Sequence, residues 1–285
     1  MRFGLHIGIS GGLKKAAEFA TACTCDCLQI FSSNPTGWRP GRLDEAQAQG
    51  FATIAAERSL YPVFLHTPYL INLASSKPDF YAKSLLLLRD ALGKAGRFVE
   101  LGVPGLAYVV THVGSHQGAG VEEGCRRVTQ ALESVLADAP AGSALLIENN
   151  PGSGTELAHT FEEYALILAP LAKYRAVLGV ALGTAHLWGA GYDISTETGF
   201  QTVVAEFDRL VGLNRLHLVH ANDSIYKLGS RNDEHRHPGE ALIGMDCFRA
   251  LVRHPGLSHI SAVQELPGET VEENRRLLDT LRSVR

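Results

Sequence analysis

Six short apolar segments of this chain lead to a histidine or a carboxylate, and this pattern constrains the fold more than any other feature. The residues at those positions are His66, His112, Glu148, His186, His220 and Glu265. All strands of a parallel barrel end at the same face, so six such endings would bring these side chains together. One histidine at a strand end is commonly just a polar cap. Six in succession favour a barrel whose C-terminal face holds metal ions.

Strand-like and helix-like segments alternate along the whole chain, which indicates βα units and a parallel sheet. We predict strands over residues 3–9, 27–31, 62–66, 106–112, 144–148, 176–182, 214–220 and 260–265. We predict helices over residues 12–22, 43–58, 79–101, 120–138, 156–169, 197–211, 244–253 and 269–283. A (β/α)8 barrel has eight strands and about 250 residues, and this chain has 285 residues. The sequence therefore predicts an α/β protein with one (β/α)8 TIM-barrel domain over residues 1–285.

The composition is that of a protein with a full hydrophobic core. Hydrophobic residues make up 45% of the chain, and no stretch approaches the ~18 apolar residues of a membrane span. We therefore expect a soluble, cytoplasmic monomer with no membrane partner. The five cysteines predict no disulfide framework. Cys23, Cys25 and Cys27 are too closely spaced for a zinc knuckle, and we expect them to pack in the interior.

Charge and loop length together predict a local binding groove. The net charge of −4 does not indicate a general nucleic-acid-binding surface, so phosphate binding would need a local patch or bound cations. Three connections after strands are long, over residues 32–43, 67–78 and 221–243. In a barrel these loops lie on the same face as the histidines and carboxylates. They predict an extended groove around a polar floor.

The polar residues of this face fall into three groups with metal-ligand chemistry. Two groups share Glu148: His66, His112 and Glu148 form one, and Glu148, His220 and Glu265 form the other. The third group joins His186 to Asp233 and His235, an Asp-x-His pair in the last long loop. Imidazole and carboxylate ligands suit zinc, and manganese or iron also remain possible. Clustered divalent ions suit phosphoryl chemistry because they bind phosphate and neutralise charge in the transition state.

Seven motifs contain or flank these residues. They are His66 to Leu73, His112 to His116, Ile147 to Asn149, His186 with Gly191 to Asp193, His220 to Asp223, Gly229 to His235, and Gly239 to Gly244. In this order, the motifs resemble the signatures of the endonuclease IV family. The resemblance runs from His6 and Ser10-Gly11-Gly12 to Glu265, which is essentially the whole chain.

The resemblance implies an apurinic/apyrimidinic endonuclease of DNA base-excision repair with a (β/α)8 barrel and a trinuclear zinc site. It implies that each group above holds one ion, giving two to three zinc ions, and that the partner is double-stranded DNA containing abasic sites. The implied reaction is in-line hydrolysis of the phosphodiester 5′ to the abasic site, which leaves a 3′-hydroxyl. Glu148 would bridge two ions, and Glu265 would orient or deprotonate the attacking water.

The chain departs from the family pattern at two places. Where the family has Asp-Thr-x-His, this chain has Gly183, Thr184, Ala185 and His186, so the second group lacks one carboxylate. We expect weaker binding of that ion, with reduced activity or altered metal preference rather than a dead enzyme. In the loop after the second strand, Thr36 and Gly37 stand near the position where the family inserts a long side chain into the DNA stack.

Contacts with DNA are expected from the long loops. Tyr69 and Leu70 match the family's other insertion loop, and such a pair can unstack a duplex, although both could instead pack within the loop. Phosphate contacts are expected from four further side chains, Trp38, Arg39, Lys227 and Arg231. Taken singly, each of these four would be an ordinary surface residue.

Two other functions are compatible with the sequence. A xylose isomerase-like sugar isomerase or epimerase also presents His, Glu and Asp from barrel strands, generally with one or two ions in a closed pocket. A protein that binds abasic DNA without cutting it would result if Gly183 and the shortened loop side chains disabled the chemistry. Incision and DNA binding, measured under the same metal conditions, distinguish these functions.

Overall fold

The computed structural model describes residues 1–285 and shows eight parallel strands closed into a barrel. The barrel strands are β1 Arg2–His6, β2 Cys27–Phe31, β3 Val63–His66, β4 Ala107–Thr111, β5 Ser143–Glu148, β6 Leu178–Gly183, β7 Leu216–His220 and β10 Ser261–Gln264. Two further short strands, β8 Asp223–Ser224 and β9 His235–Arg236, form a separate antiparallel pair. Each barrel strand pairs with the barrel strands before and after it in the chain, and β10 closes on β1. The predicted (β/α)8 barrel is confirmed.

Helices connect the strands around the outside of the barrel. They are α1 Leu13–Ala22, α2 Glu45–Glu57, α3 Pro78–Glu100, α4 Val121–Leu136, α5 Phe161–Leu168, α6 Thr184–Ala190, α7 Glu197–Leu210, α8 Met245–Arg253 and α9 Val271–Ser283. Side-chain caps define several starts. The hydroxyl of Thr270 accepts from the backbone N–H of Glu273, whose own carboxylate accepts from the N–H of Thr270. None of the helices is long and apolar enough to span a membrane.

Three elements differ from the sequence prediction. Helix α5 begins at Phe161 rather than residue 156, because the Thr160 hydroxyl accepts from the N–H of Glu163 and caps the helix there. The short helix α6 follows β6 directly and was not predicted. The β8–β9 pair was not predicted either, because both strands have only two residues within a long loop. Both additions lie on the face of the barrel where the strands end, so they shape the site.

The barrel interior is filled by side chains. Seven buried residues, one from each of seven barrel strands, form a separate apolar cluster: Cys27, Phe64, Val110, Leu146, Ala181, Leu218 and Val263. The alternate positions pack outward against the helices in a much larger cluster of 68 buried residues. All five cysteines are free and buried, as expected for packing residues. The apolar interior closes the barrel beneath its C-terminal face, and polar side chains cover that face.

Candidate metal centre

The C-terminal face of the barrel brings the three predicted ligand groups together. In each group, one ligand atom per residue lies within 4.8 Å of the others: His66, His112 and Glu148; Glu148, His220 and Glu265; His186, Asp233 and His235. Strands β3, β5 and β7 end on His66, Glu148 and His220. His112 and Glu265 each follow directly after a barrel strand. The fold therefore delivers the ligand residues to one place because its parallel strands end there.

Glu148 lies at the centre of the face, buried and surrounded by four imidazoles. Its Oε2 is 3.2 Å from His66 Nε2 and 3.5 Å from His112 Nε2. Its Oε1 is 2.6 Å from His220 Nδ1 and 3.4 Å from His186 Nδ1. Burial favours the neutral acid, but the neighbouring imidazoles outweigh it and hold the pKa of Glu148 well below its ordinary value. Glu148 is therefore a carboxylate that can serve two cation sites.

The third group is built by an unpredicted helix and an unpredicted hairpin. His186 lies in the first turn of α6, while His235 begins β9 and Asp233 precedes it. Asp233 Oδ2 is 3.2 Å from His186 Nε2, and Asp233 Oδ1 is 2.8 Å from His235 Nε2. Burial opposes ionisation of Asp233, but both imidazoles lower its pKa. The Asp-x-His pair therefore faces a single position that His186 also faces.

The second group has supporting polar residues that the sequence analysis missed. Glu265 Oε2 is 3.5 Å from His220 Nδ1 and accepts from the Asn222 amide at 2.9 Å. Glu265 Oε1 accepts from the Gln29 amide at 3.2 Å. Burial opposes ionisation of Glu265, but the nearby His220 lowers its pKa. The signal for Gln29 was one amide inside an otherwise apolar strand.

Comparison with known proteins agrees with this geometry. Residues 13–285 match the family described as "Xylose isomerase-like TIM barrel". The "Probable endonuclease 4" of Chloroflexus aurantiacus is 39% identical over 285 residues, covering 99% of this chain and 98% of that protein. The "Probable endonuclease 4" of Natranaerobius thermophilus is 39% identical over 284 residues, covering 100% and 98%. The crystal structure of endonuclease IV from Thermus thermophilus superposes with a TM-score of 0.85 at 33% identity, covering 100% and 98%.

The chain belongs to the endonuclease IV family. It is therefore an enzyme of the AP endonuclease class. The likeness to sugar epimerases is one of fold alone: a D-psicose 3-epimerase superposes with a TM-score of 0.69 but is only 13% identical, covering 100% of this chain and 99% of that chain. The likeness to these epimerases therefore supports the barrel fold and does not support a sugar isomerase activity.

Position 183, where the resemblance to the endonuclease IV family leads us to expect an aspartate, is crowded in this chain. A Cβ atom on Gly183 would lie 2.6 Å from His186 Nδ1 and 3.3 Å from Glu148 Oε1. The backbone is held there by Asn149, whose Oδ1 accepts from the Gly183 N–H at 2.6 Å. His186 Nδ1 is buried and has no hydrogen-bond partner. The imidazole of His186 thus occupies the space beside Gly183, and a side chain at 183 requires that imidazole to shift.

All the residues of the three groups except the fully buried His220 line the floor of an open cavity of about 510 Å³ that also contains Tyr69. A second cavity of about 520 Å³ continues from it and shares Tyr69, His112, His186 and Asp233 with it. This continuity fits the extended groove that the loop lengths predicted.

The predicted DNA-contacting residues are distributed over the loops around this groove. Tyr69 is 63% exposed. Its ring centroid lies 5.5 Å from the ring centroid of Phe31 and 6.1 Å from that of His66. Leu70 beside it is half-buried. Trp38 packs edge-on against Phe80 at 5.6 Å, so it joins the loop after β2 to the start of α3. Three basic side chains are exposed on the long loops: Arg39, Lys227 and Arg231.

Proposed function

We propose that this enzyme hydrolyses the phosphodiester on the 5′ side of an abasic site in double-stranded DNA and leaves a 3′-hydroxyl. The observation that carries the proposal is the arrangement of three ligand groups around Glu148 at the floor of an open groove. The endonuclease 4 relatives, matched over nearly their whole length, support the same reaction. We propose that residues 1–285 act as one domain and as a monomer, since one chain supplies all three groups.

The donor atoms fit divalent cations, and we propose two to three zinc ions, with manganese as a substitute. Each group offers imidazole nitrogen and carboxylate oxygen, the ligands that zinc prefers at catalytic sites. Burial lowers the pKa of His112 to about 4, so its imidazole is neutral at neutral pH and free to donate an electron pair. Its buried Nδ1 has no protein partner. Bound cations would neutralise phosphate charge and make hydroxide available at neutral pH.

The chain's own residues would perform the remaining steps. Glu265 borders the cavity as a carboxylate, 14% exposed in its side chain, and can accept a proton from the attacking water. Glu148 would fix the positions of the first two groups relative to each other, because its carboxylate faces both. Arg39, Lys227 and Arg231 would contact phosphates along the groove, which allows a protein of net charge −4 to bind DNA locally.

Recognition of the lesion would depend on Tyr69 and Leu70. An abasic site lacks one base, so opening the stack there costs less than at an intact step. The exposed phenol of Tyr69, next to His66, would fill that gap while the adjacent phosphate would lie over the ligand groups. Trp38 would contribute indirectly, because its packing on Phe80 supports the neighbouring loop.

An incision assay tests the proposal. A duplex with one abasic-site analogue is incubated with zinc or manganese and with a chelator control, beside an undamaged duplex of the same sequence. We expect metal-dependent cleavage immediately 5′ of the lesion, with a product end that a DNA polymerase extends. The matched variant Glu265→Gln should bind the duplex and cut about 10²–10⁴-fold more slowly.

Two results would contradict the proposal. Tight binding of the lesion without incision by the native enzyme would support the second candidate, a protein that binds abasic DNA, and restored incision in Gly183→Asp would then assign the lost chemistry to Gly183. Equal cleavage of damaged and undamaged duplex would show that Tyr69 and Leu70 do not select the lesion.

A further inference from the structure

Gln29 is a fully buried amide whose three hydrogen bonds all go to the candidate centre. It lies in the middle of β2, within the apolar segment Cys27–Phe31, and is 0% exposed. Its Nε2 is 3.0 Å from His6 Nδ1 and 3.2 Å from Glu265 Oε1. Its Oε1 is 2.8 Å from His220 Nε2. Burying an amide costs folding free energy unless the amide is hydrogen-bonded, so these hydrogen bonds are needed for Gln29 to lie within the site.

The chemistry of Glu265 decides which way the amide points. A carboxylate can only accept, so the amide nitrogen of Gln29 must face Glu265 and its oxygen must face His220. Turning the amide over would place two acceptor oxygens against each other at Glu265. The second amide hydrogen then goes to His6 Nδ1, which must be the unprotonated nitrogen of that ring.

The orientation of the amide in turn sets the tautomer of His220. Because the Gln29 oxygen accepts, His220 Nε2 must carry a hydrogen; in the neutral imidazole, which is the form that binds a metal ion, the lone pair then lies on Nδ1. That Nδ1 is the atom that lies 2.6 Å from Glu148 and 3.5 Å from Glu265. In that form, the lone pair and the two carboxylates face one point and repel each other until a metal ion or a proton lies between them.

We propose that Gln29 is a positioning residue for the second ligand group: it presents the Nδ1 lone pair of His220 and holds Glu265 toward the same cation. The inference rests on the proposed function, because it assumes that this group binds a metal. Residues that orient metal ligands in this way typically change metal affinity about 10–100-fold when they are replaced. Gln29 touches no substrate in this account and acts only through His220 and Glu265.

Zinc retention in Gln29 variants tests the inference. Native protein, Gln29→Met and Gln29→Glu are equilibrated at a series of buffered free-zinc concentrations, and zinc per chain is measured by mass spectrometry. Methionine keeps the volume and removes every hydrogen bond, so we expect one zinc equivalent to bind about 10–100-fold more weakly. Glutamate still accepts from His220 but repels Glu265. The zinc affinity of Gln29→Glu should therefore lie between that of native protein and that of Gln29→Met. The cobalt(II)-loaded variants should show changed visible absorption, which reports ligand geometry directly.

The matched control is Gln264→Met. Gln264 is also a buried glutamine of a barrel strand, but its amide donates to the Leu277 carbonyl in α9. This control should retain native zinc binding. If Gln29→Met does not fold, Gln29→Glu must still bind zinc more weakly than native protein.

Three outcomes would overturn the inference. Native zinc retention and an unchanged cobalt spectrum in Gln29→Met, or in Gln29→Glu alone if the methionine variant is unfolded, would show that Gln29 does not position the ligands. Equal loss in Gln264→Met would assign the effect to the fold. Failure of the native protein to bind any zinc would overturn the proposed function as well, which separates the two failures.

Discussion

Asp223→Asn should destabilise the loop that carries Asp233 and His235. Asp223 is fully buried, and its carboxylate accepts from five backbone N–H groups. Oδ1 accepts from Ser224 and Ile243 at 2.7 and 2.8 Å, and Oδ2 accepts from Gly239, Ala241 and Gly244 at 3.1 Å each. One carboxylate therefore ties the end of β7 to the far end of a long loop.

The size of the effect follows from counting lost acceptors. In asparagine, one oxygen becomes an NH2 group, which cannot accept and would face either two or three of those N–H donors. At least two hydrogen bonds to a charged group are lost, each worth about 1.5–3 kcal/mol. The free energy of unfolding, or of opening this loop, should fall by about 3–6 kcal/mol.

Urea unfolding and amide hydrogen exchange measure this loss. We expect faster exchange at residues 239–244, and weaker zinc binding because Asp233 and His235 are no longer held. The control is Asp246→Asn, which removes the same charge from an exposed position paired with Arg249 at the start of α8. A surface change of this kind should alter stability by about 0.5 kcal/mol or less. Equal stability of Asp223→Asn and Asp246→Asn would show that the hydrogen bonds of Asp223 do not stabilise this loop.

Four further predictions follow from the site. Both Gly183→Asp and Gly183→Ala displace the His186 imidazole, but only aspartate adds a carboxylate ligand, so under chelator competition Gly183→Asp should retain more zinc than native protein and Gly183→Ala less; equal retention would contradict this. Tyr69→Ala should bind the abasic duplex about tenfold more weakly, the loss expected from one stacking contact, with an unchanged melting temperature. In chelator-treated protein, burial opposes the charged form of His186, but Asp233 and Glu148 outweigh it and raise its pKa well above the ordinary value. Its stabilising effect is complete below about pH 6.5 and is lost as pH rises through the folded pKa, so the melting temperature should fall from pH 6 to pH 9; a rise would contradict this. Chelation should abolish incision and leave the circular dichroism spectrum intact, because the apolar interior of the barrel does not involve the ligand groups.

The barrel could be predicted because each of its strands is indicated by residues that are close together in the sequence. Each strand is a short apolar segment between polar connections, and no barrel-strand boundary differs from the structure by more than three residues. The candidate ligand residues could be placed on the C-terminal face for the same reason, since a histidine or glutamate at a strand end marks that face. Helix α6 and the β8–β9 pair were missed because they are short and depend on distant partners.

The supporting contacts could not be predicted because they are set in three dimensions. Gln29 is one amide in an apolar strand, and nothing in β2 alone indicates that it reaches His220, 191 positions away. Asp223 was noted only as part of a motif, although its carboxylate organises a loop that returns about 20 residues later. The space beside Gly183 is filled by His186, a fact that depends on where α6 begins.

Incision measured against zinc equivalents tests whether DNA cleavage depends on zinc ions bound to the three ligand groups. Chelator-treated protein is mixed with increasing zinc, and cleavage of the single-lesion duplex is followed together with zinc bound per chain. We predict no cleavage without zinc and a cleavage rate that saturates when two to three ions are bound. Cleavage in the absence of any metal, or an uncut duplex at full zinc occupancy, would contradict this prediction.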